Sequence, residues 1–270
     1  EEAVKLADPE AERAEGIRAI LIAGASKQNL PAWQRDGDDH PYDSGFGAGE
    51  LNVYNAWHLQ KAGKQTPAAS VDRLPTGWDL GTTVSSGSDV RWFFSIPEGR
   101  FANALSAAIC WNRRVFAIPS KYPSSLTNLS LRLYAATGFS PDATPLAQSI
   151  SGVDNVEHLF LRNLPAGQYM IEVTASSSGR DFGIAWQSAL GQGPALAVRR
   201  EPSGQVFVEA SNLDPFVSYT LQSSPNAAAP WANEATFRTA DTVAALTHTW
   251  EDPAPDPDRY FYRLSWTAIR

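Results

Sequence analysis

A chain of 270 residues with 43% hydrophobic and 19% charged side chains is long enough for two or three domains, each able to bury a core, and its balance excludes a disordered chain. The net charge of −7 is spread without an acidic tail, and Arg113-Arg114 and Arg199-Arg200 read as isolated pairs. Both features argue against a nucleic-acid partner, which needs clustered cations. Cys110 is the only cysteine, which excludes an intrachain disulfide and a cysteine-based metal site.

Cys110 sits in the apolar run AAICW and reads as a small buried core residue. No apolar stretch has the length of a membrane span, and no signal-peptide pattern opens the chain. The first residue is not Met and the sequence begins in what reads as the end of a helix, so the expectation is a processed piece or fragment of a longer protein. Nine Trp and eight Tyr against one Met point to packed β-structure.

Residues 1–25 read as helix. Asp8 is placed to cap it and Pro9 suits the first helical position, where no N–H is needed. Ala14, Ile17, Ile20 and Leu21 recur at helical spacing, and Gly24 is the expected stop. Such a helix is too short to stand alone and must dock its apolar face. Residues 27–43 form a polar loop containing DGDDHPYD. Asp36, Asp38, Asp39 and Asp43 present carboxylates that a calcium ion would accept, but their spacing is not that of an EF-hand, and a solvated loop is the preferred reading. Gly45, Gly47 and Gly49 then lead into a helix over 51–62 closed by Gly63. No Lys-Ser/Thr follows the glycines, so they read as a tight backbone path and not as a phosphate cradle.

Residues 64–89 are linker-like in composition, rich in Pro, Gly and Ser. From 90 to 190 short strands alternate with turns, at 90–96, 102–111, 129–135, 146–151, 156–161, 168–175 and 181–186. Leu129, Leu131 and Leu133 alternate with polar residues as a half-buried strand requires, and Pro165-Ala166-Gly167 is a tight turn. Strands at this spacing predict a sandwich or jelly roll. Residues 191–194 form a hinge. Six further strands within 195–270 predict a small antiparallel sandwich, with a stiff proline-rich loop at DPAPDPD.

No catalytic constellation is visible. His40, His58, His158 and His248 have no metal-ligand partner at helix or hairpin spacing, and no G-x-S-x-G elbow occurs. His158 alternates with Val156 and Phe160 on one strand face and is expected to be partly buried and hydrogen-bonded. Trp231, Trp250, Tyr260, Tyr262 and Trp266 cluster near the end; exposed they would form a platform for sugars, and buried they are core, the preferred reading for alternating strands.

IRAILIAGA, a polar loop, then YDSGFGAGELNVYNAW resemble the last two helices of a subtilisin-like serine protease domain. In that family a G-x-G-x-(L/V)-(N/D)-(V/A)-x-x-A segment enters the final helix, and Gly47, Gly49, Leu51, Asn52, Val53 and Ala56 match it. Further on, Trp111, Asn128-Leu129, Leu131, Asp154-Asn155-Val156-Glu157, Pro165, Gly167 and Tyr169 resemble the jelly-roll domain that follows the catalytic domain in many secreted members. Asn112 and Ser130 stand where that pattern has Asp, which removes charged ligands from its calcium site; Asp154 and Glu157 remain as calcium candidates beside Asp36 and Asp38. The family's G-T-S-x-A/S-x-P, Asp-Ser/Thr-Gly and His-Gly-Thr motifs are absent, and Asp43-Ser44-Gly45 falls in the wrong order to be the second of these. No catalytic residue and no cofactor are therefore assigned.

The expected fold is mainly β with a short α-helical N-terminal segment, a jelly-roll sandwich and then a small fibronectin III-like sandwich. The expected domains are 1–63 (end of a catalytic domain), 64–89 (linker), 90–190 and 195–270. The resemblance implies the non-catalytic C-terminal region of a bacterial subtilisin-like endopeptidase, secreted or located at the cell surface or periplasm. This region would stabilise the catalytic domain and position substrate. Its partners would be the missing upstream catalytic domain and, through it, protein or peptide substrates. The alternative is a multi-domain β-sandwich binding module for carbohydrate or a cell-surface partner. A large exposed apolar face on 1–63 favours the first, and a row of exposed Trp and Tyr on one sheet favours the second.

Overall fold

The computed structural model describes residues 9–30, 32–82, 87, 89–115, 124–176, 180–191, 194–213, 218–225, 230–238, 246–251 and 261–266. The chain is mainly β with two short α-helices, and it divides into two compact units, the first running to Leu190 and the second starting at Gly191.

Two helices precede the strands. Pro9–Glu12 forms a 3-10 turn and α1 spans Ala14–Ala23. The α-helix starts later than Pro9 suggests, because Arg13 is extended (φ −68°, ψ 140°) and separates the two helical pieces. Asp8 lies outside the described residues. α1 stops at Gly24, whose N–H returns to the Ile20 carbonyl at 2.9 Å. α2 spans Val53–Ala62; the Asn52 side chain caps it by accepting the Asn55 N–H at 3.0 Å, and Gly63 at φ 88° ends it.

Twelve strands complete the first unit: β1 (Asp72–Arg73), β2 (Thr76–Thr82), β3 (Asp89–Ile96), β4 (Phe101–Trp111), β5 (Arg114–Val115), β6 (Ser124–Ser125), β7 (Leu129–Thr137), β8 (Ser140–Pro141), β9 (Ala147–Ser149), β10 (Val156–Leu164), β11 (Gly167–Ala175) and β12 (Asp181–Gly191). One sheet has the order β1-β3-β11-β7-β8, with β9 also on β7, and the other has the order β10-β4-β12-β2. Counting β2, β3, β4, β7, β9, β10, β11 and β12 as strands one to eight, the sheets read 2-7-4-5 and 6-3-8-1. That is the jelly-roll arrangement. The alternating leucines work as their spacing suggests: Leu129, Leu131 and Leu133 are fully buried and lie opposite Ala175, Val173 and Ile171. With Trp92, Phe94, Leu105, Ile109, Trp111, Phe182, Ile184 and Trp186 they fill the space between the sheets.

The four-stranded sheet is buried on both faces. On β4, Leu105, Ile109 and Trp111 point between the sheets, while Ala108 and Cys110 join α1 and α2 in a second core with Val156, Ala185, Trp78, Ala19, Ile20, Ala23, Ala56 and Leu59. Burial pushes the Cys110 thiol up to about 12, so it acts as a small apolar group. The residues under the helices are small for a steric reason. A Cβ on Gly183 of β12 would fall 2.3 Å from the backbone of Glu15 in the first turn of α1.

Residues 64–89 are no linker, and this corrects the compositional expectation. They contain β1 and β2, and β2 pairs along its length with β12, Trp78 opposite Ala185. Three buried indoles hold the approach to β2. Trp78 Nε1 donates to the Gln60 carbonyl at 3.1 Å, Trp92 to Gln65 at 2.8 Å and Trp186 to Leu74 at 3.0 Å. Pro, Gly and Ser marked the turns correctly but could not reveal that backbone carbonyls between them accept bonds from core tryptophans of distant strands.

The second unit holds β13 (Ala195–Arg200), β14 (Val206–Leu213), β15 (Ser218–Ser224), β16 (Ala232–Arg238), β17 (Leu246–Glu251) and β18 (Phe261–Trp266). They form two three-stranded sheets, β13-β14-β17 and β16-β15-β18. Ala210, Leu213 and Tyr219 with Leu196 and Leu264 form the core between them. The DPAPDPD segment lies outside the described residues.

Replacing Ala108 by Leu drives extra methylenes into the helix–sheet core and lowers the unfolding free energy of the first unit by about 1–3 kcal/mol in urea denaturation. Val198→Thr, at an exposed position of the second unit, leaves that transition unchanged.

Candidate functional site

The helices cover the sheet with one face and leave a second apolar face outside. Around the first turn of α2, Leu51 is 68% exposed, Val53 69%, Tyr54 70% and Trp57 42%. Val53, Tyr54 and Trp57 lie at i, i+1 and i+4, so Val53 and Trp57 stack on one side of the helix with Tyr54 beside them. His58 sits between the rings of Tyr54 and Trp57 at centroid distances of 4.3 and 4.8 Å, and Lys61 Nζ lies 4.7 Å over Trp57. Phe46 in the preceding turn and Leu21 on α1 are also exposed. Of the twelve large hydrophobic residues exposed among those described, six fall between Leu21 and Trp57, which concentrates them on the helical segment. Among the described residues no sheet presents a comparable row: Trp78, Trp92, Trp111 and Trp186 are all core, Trp231 is half-buried under the Arg263 guanidinium, and Trp250 is half-buried against Tyr262, while Tyr260 and the side chain of Trp266 lie outside the described residues.

The glycine turn that presents this patch is organised by Asp43. Its Oδ1 accepts the N–H groups of Gly45 and Phe46, both at 2.8 Å, and its Oδ2 accepts that of Gln34 at 3.0 Å. Slight desolvation works against ionisation, but these three donors prevail and hold the carboxyl below its usual range. Asp43 is thus a turn-builder. Gly49, at φ 109°, is required where the loop bridges back: a Cβ there would meet the Ser26 carbonyl at 2.6 Å.

The loop between the helices seals the rest of the sheet's outer face. On β10, Val156, His158 and Phe160 lie opposite Cys110, Ala108 and Ser106 of β4. Trp33 and Tyr42 cover His158, and Trp33 Nε1 donates to the Gly47 carbonyl at 2.9 Å. Beneath them Lys27 is 2% exposed, its Nζ 3.3 Å from His158 Nε2, 4.8 Å over Phe160 and 5.1 Å over Trp33. Ser106 Oγ is 3.2 Å from the same nitrogen. Burial, then the nearby Arg162, brings the Lys27 ammonium down to about 7, and burial followed by Lys27 and Arg35 keeps His158 neutral. An ammonium can only donate, so Nε2 is the acceptor whenever Lys27 is charged. A serine beside a histidine is a nucleophile–base pair in outline. Here both are buried, at 6% and 0% exposure, and it is Lys27, reaching His158 from the loop, that fastens the loop to the sheet.

The acidic candidates do not converge. Asp36 is exposed; Asp38 Oδ2 accepts from Gln148 at 2.9 Å while Oδ1 pairs with Arg35 at 3.5 Å. Asp154 accepts from Ser151 Oγ at 2.6 Å, and Glu157 from Ser149 Oγ. Burial raises Glu157 to about 8, so it is protonated at neutral pH, the opposite of what a cation site needs. Among the described residues no three His, Cys, Asp or Glu gather around one point. Asn112 donates to Glu15 Oε1 at 2.7 Å. His40 pairs with the adjacent Asp39, His58 belongs to the α2 patch, and the side chain of His248 lies outside the described residues. Sequence reasoning placed His158 on the right face but had no signal that Lys27 and Ser106 would join it, since 131 and 52 positions separate them from it. No helix among the described residues is long and apolar enough to cross a membrane. The chain matches no protein-family model and no curated protein.

Two separately buried groups, Glu157 and Lys27, shape the pH dependence of stability. From pH 4.5 to about 8 the folded chain keeps a proton on Glu157 that the unfolded chain releases, so the contribution of Glu157 to stability falls as pH rises, opposed at the acid end by the buried neutral His158. From about 7 to 10.5 the unfolded chain keeps a proton on Lys27 that the folded chain has lost, so stability rises. Thermal melts across this range show Glu157→Gln flattening the first limb and Lys27→Met the second.

Proposed function

We propose that this chain is the non-catalytic C-terminal region of a subtilisin-like serine endopeptidase, with α1 and α2 as the closing helices of its catalytic domain. The observation that carries the reading is the apolar patch of Leu51, Val53, Tyr54 and Trp57. A docked helix needs one buried face, and α2 already has one through Ala56 and Leu59. A second, exposed face with two aromatic rings calls for a further body packed against it. The family resemblance supplies that body, since its motif from Gly47 to Ala56 spans this patch. The jelly-roll order of the following strands agrees with the domain that succeeds the catalytic domain in that family.

On this reading the jelly roll stabilises the catalytic domain from its C-terminal side and helps position the peptide substrate. The parent enzyme is exported, to the medium, cell surface or periplasm. Cleavage itself belongs to an Asp/His/Ser triad carried upstream. The alternative, a carbohydrate- or cell-surface-binding module, has less support, because Tyr54 and Trp57 sit on a helix and, among the described residues, no row of exposed aromatic residues lies along a sheet.

The test is the sequence encoded upstream of Glu1, and the longer protein expressed with it. A G-T-S-x-A/S-x-P segment within a few helical turns is expected. In hydrogen exchange, residues 51–57 become protected in the longer protein relative to the 270-residue chain. A serine-directed fluorophosphonate labels the longer protein and leaves the 270-residue chain unlabelled. Unchanged exchange at 51–57, or peptide hydrolysis by the chain alone, overturns the reading.

A further inference from the structure

Three side chains of the loop between α1 and α2 converge on one buried ring. The ends of the loop are pinned together by the Ser26–Glu50 bridge, with N–H to carbonyl distances of 2.8 and 2.9 Å in the two directions. Between them Lys27, Trp33 and Tyr42 reach His158 on β10, with Lys27 Nζ at 3.3 Å and the two ring centroids at 5.6 and 6.2 Å. A second attachment lies at Asp38, whose carbonyl accepts the Ile150 N–H at 2.7 Å and whose Oδ2 accepts from Gln148. Lys27 and His158 are both buried.

The closed loop accommodates one charge on this pair and not two. An ammonium only donates, so Nε2, which faces both Lys27 and Ser106 Oγ, is the unprotonated ring nitrogen. A second proton on the imidazole would set a cationic N–H against an ammonium at 3.3 Å, away from water. The other charges that act on the two groups are Arg162 on Lys27 and Arg35 on His158, both cations, with Arg35 paired to Asp38 at 3.5 Å. The Pro41 backbone favours the charged ring, and burial, then Lys27 and Arg35, outweigh it. Tyr42 and Cys110, which share this face, are held neutral by burial; Arg18 of α1 acts on both, and Asp154 and Glu157 act on Tyr42. Glu157 keeps its own proton to about pH 8, so it offers no counter-charge in acid. We propose that this loop is an acid-released latch: when His158 takes up its second proton, the loop lifts from the outer face of the four-stranded sheet and the strands beneath remain folded. With the loop lifted both side chains reach water, where an imidazole is half-charged near pH ~6.5 and a lysine is charged. Opening therefore takes up a proton below about pH 6.5, and its equilibrium constant rises about tenfold per pH unit as pH falls. Global unfolding lacks this steepness, because it also releases the proton of Glu157, which stays buried beside Ser149 when only the loop moves. The inference is independent of the protease reading.

Hydrogen exchange of the 270-residue chain, followed by NMR from about pH 7.5 to 4.5 and corrected for the pH dependence of the chemical exchange step, tests it. The reporter is the Ile150 N–H, whose acceptor is the Asp38 carbonyl of the loop, and the amides of β4 report the sheet beneath. The range ends where Asp43, whose carboxyl lies below its usual range, still builds its turn. Protection of Ile150 is expected to fall about tenfold per pH unit below about pH 6, with β4 unchanged. His158→Gln, which accepts from Lys27 but takes up no proton, removes that slope. His40→Gln, at the exposed histidine of the same loop, keeps it. Where the His158 variant does not fold, the comparison of Ile150 with β4 in the unaltered chain decides. The proposal is overturned by protection of Ile150 that is flat across the acid range, by Ile150 and β4 losing protection together, by a slope kept in His158→Gln, or by a slope lost in His40→Gln.

Discussion

Burial of the four-stranded sheet on both faces is the constraint from which the first unit follows. A sheet in an ordinary sandwich has one dry face and one wet one. Here the central strand β4 has neither face in water between Leu105 and Trp111. Its inner residues include Leu105, Ile109 and Trp111, and its outer residues are Ser106, Ala108 and Cys110, because two helices and a loop must lie directly on them. Gly183 and Ala185 on the neighbouring β12 continue the same low surface. A run such as LSAAICW carries no clean alternation for this reason, since a small apolar residue outside and a large one inside both count as hydrophobic.

Covering the outer face brings polar groups with it. The loop between the helices is polar, and sealing it against the sheet encloses Lys27, His158 and Ser106, while Glu157 is buried on the other face of β10 beside Ser149. The cost is limited by neutralisation: the lysine loses its proton readily, the histidine stays neutral and the glutamic acid keeps its proton. Aromatic rings of Trp33 and Phe160 supply the remaining stabilisation when Lys27 is charged. The tryptophans behave differently. Each of Trp78, Trp92, Trp111 and Trp186 places its ring in a core and its single N–H on a backbone carbonyl, of the last turn of α2 for Trp78 and of a connecting segment for the other three. The bond at once satisfies a buried donor and ties an irregular segment to regular structure.

What remains outside is also ordered by the helices. α1 and α2 present small and aliphatic residues to the sheet and an aromatic, exposed cap on the first turn of α2 to solvent. The start of α1 holds the carboxylate floor of a cleft whose walls are arginines. The first surface is apolar and suits a packed protein body, and the cleft is lined by arginines and carboxylates together.

The amino-acid sequence alone determined the local structure. Leu129, Leu131 and Leu133 announced a strand, Gly24 and Gly63 closed the two helices, and the strand spacing from 90 onward implied a sandwich, because these signals depend on near neighbours and on periods of 2 and 3.6 residues. Tertiary structure decided the rest. Residues 64–89 read as a linker, yet β2 belongs to the sheet, since its pairing with β12 joins positions 99 to 111 residues apart. Arg13, Arg113, Arg114 and Arg180 form a cleft only because a helix start, the end of one strand and the start of another meet there. Asp36, Asp38, Asp154 and Glu157 lay in acidic runs that suggested a cation, and folding gave three of them protein partners and left Asp36 in solvent. Composition shows which groups are available, but the charge at a point in space depends on which distant segments the burial of apolar faces brings together.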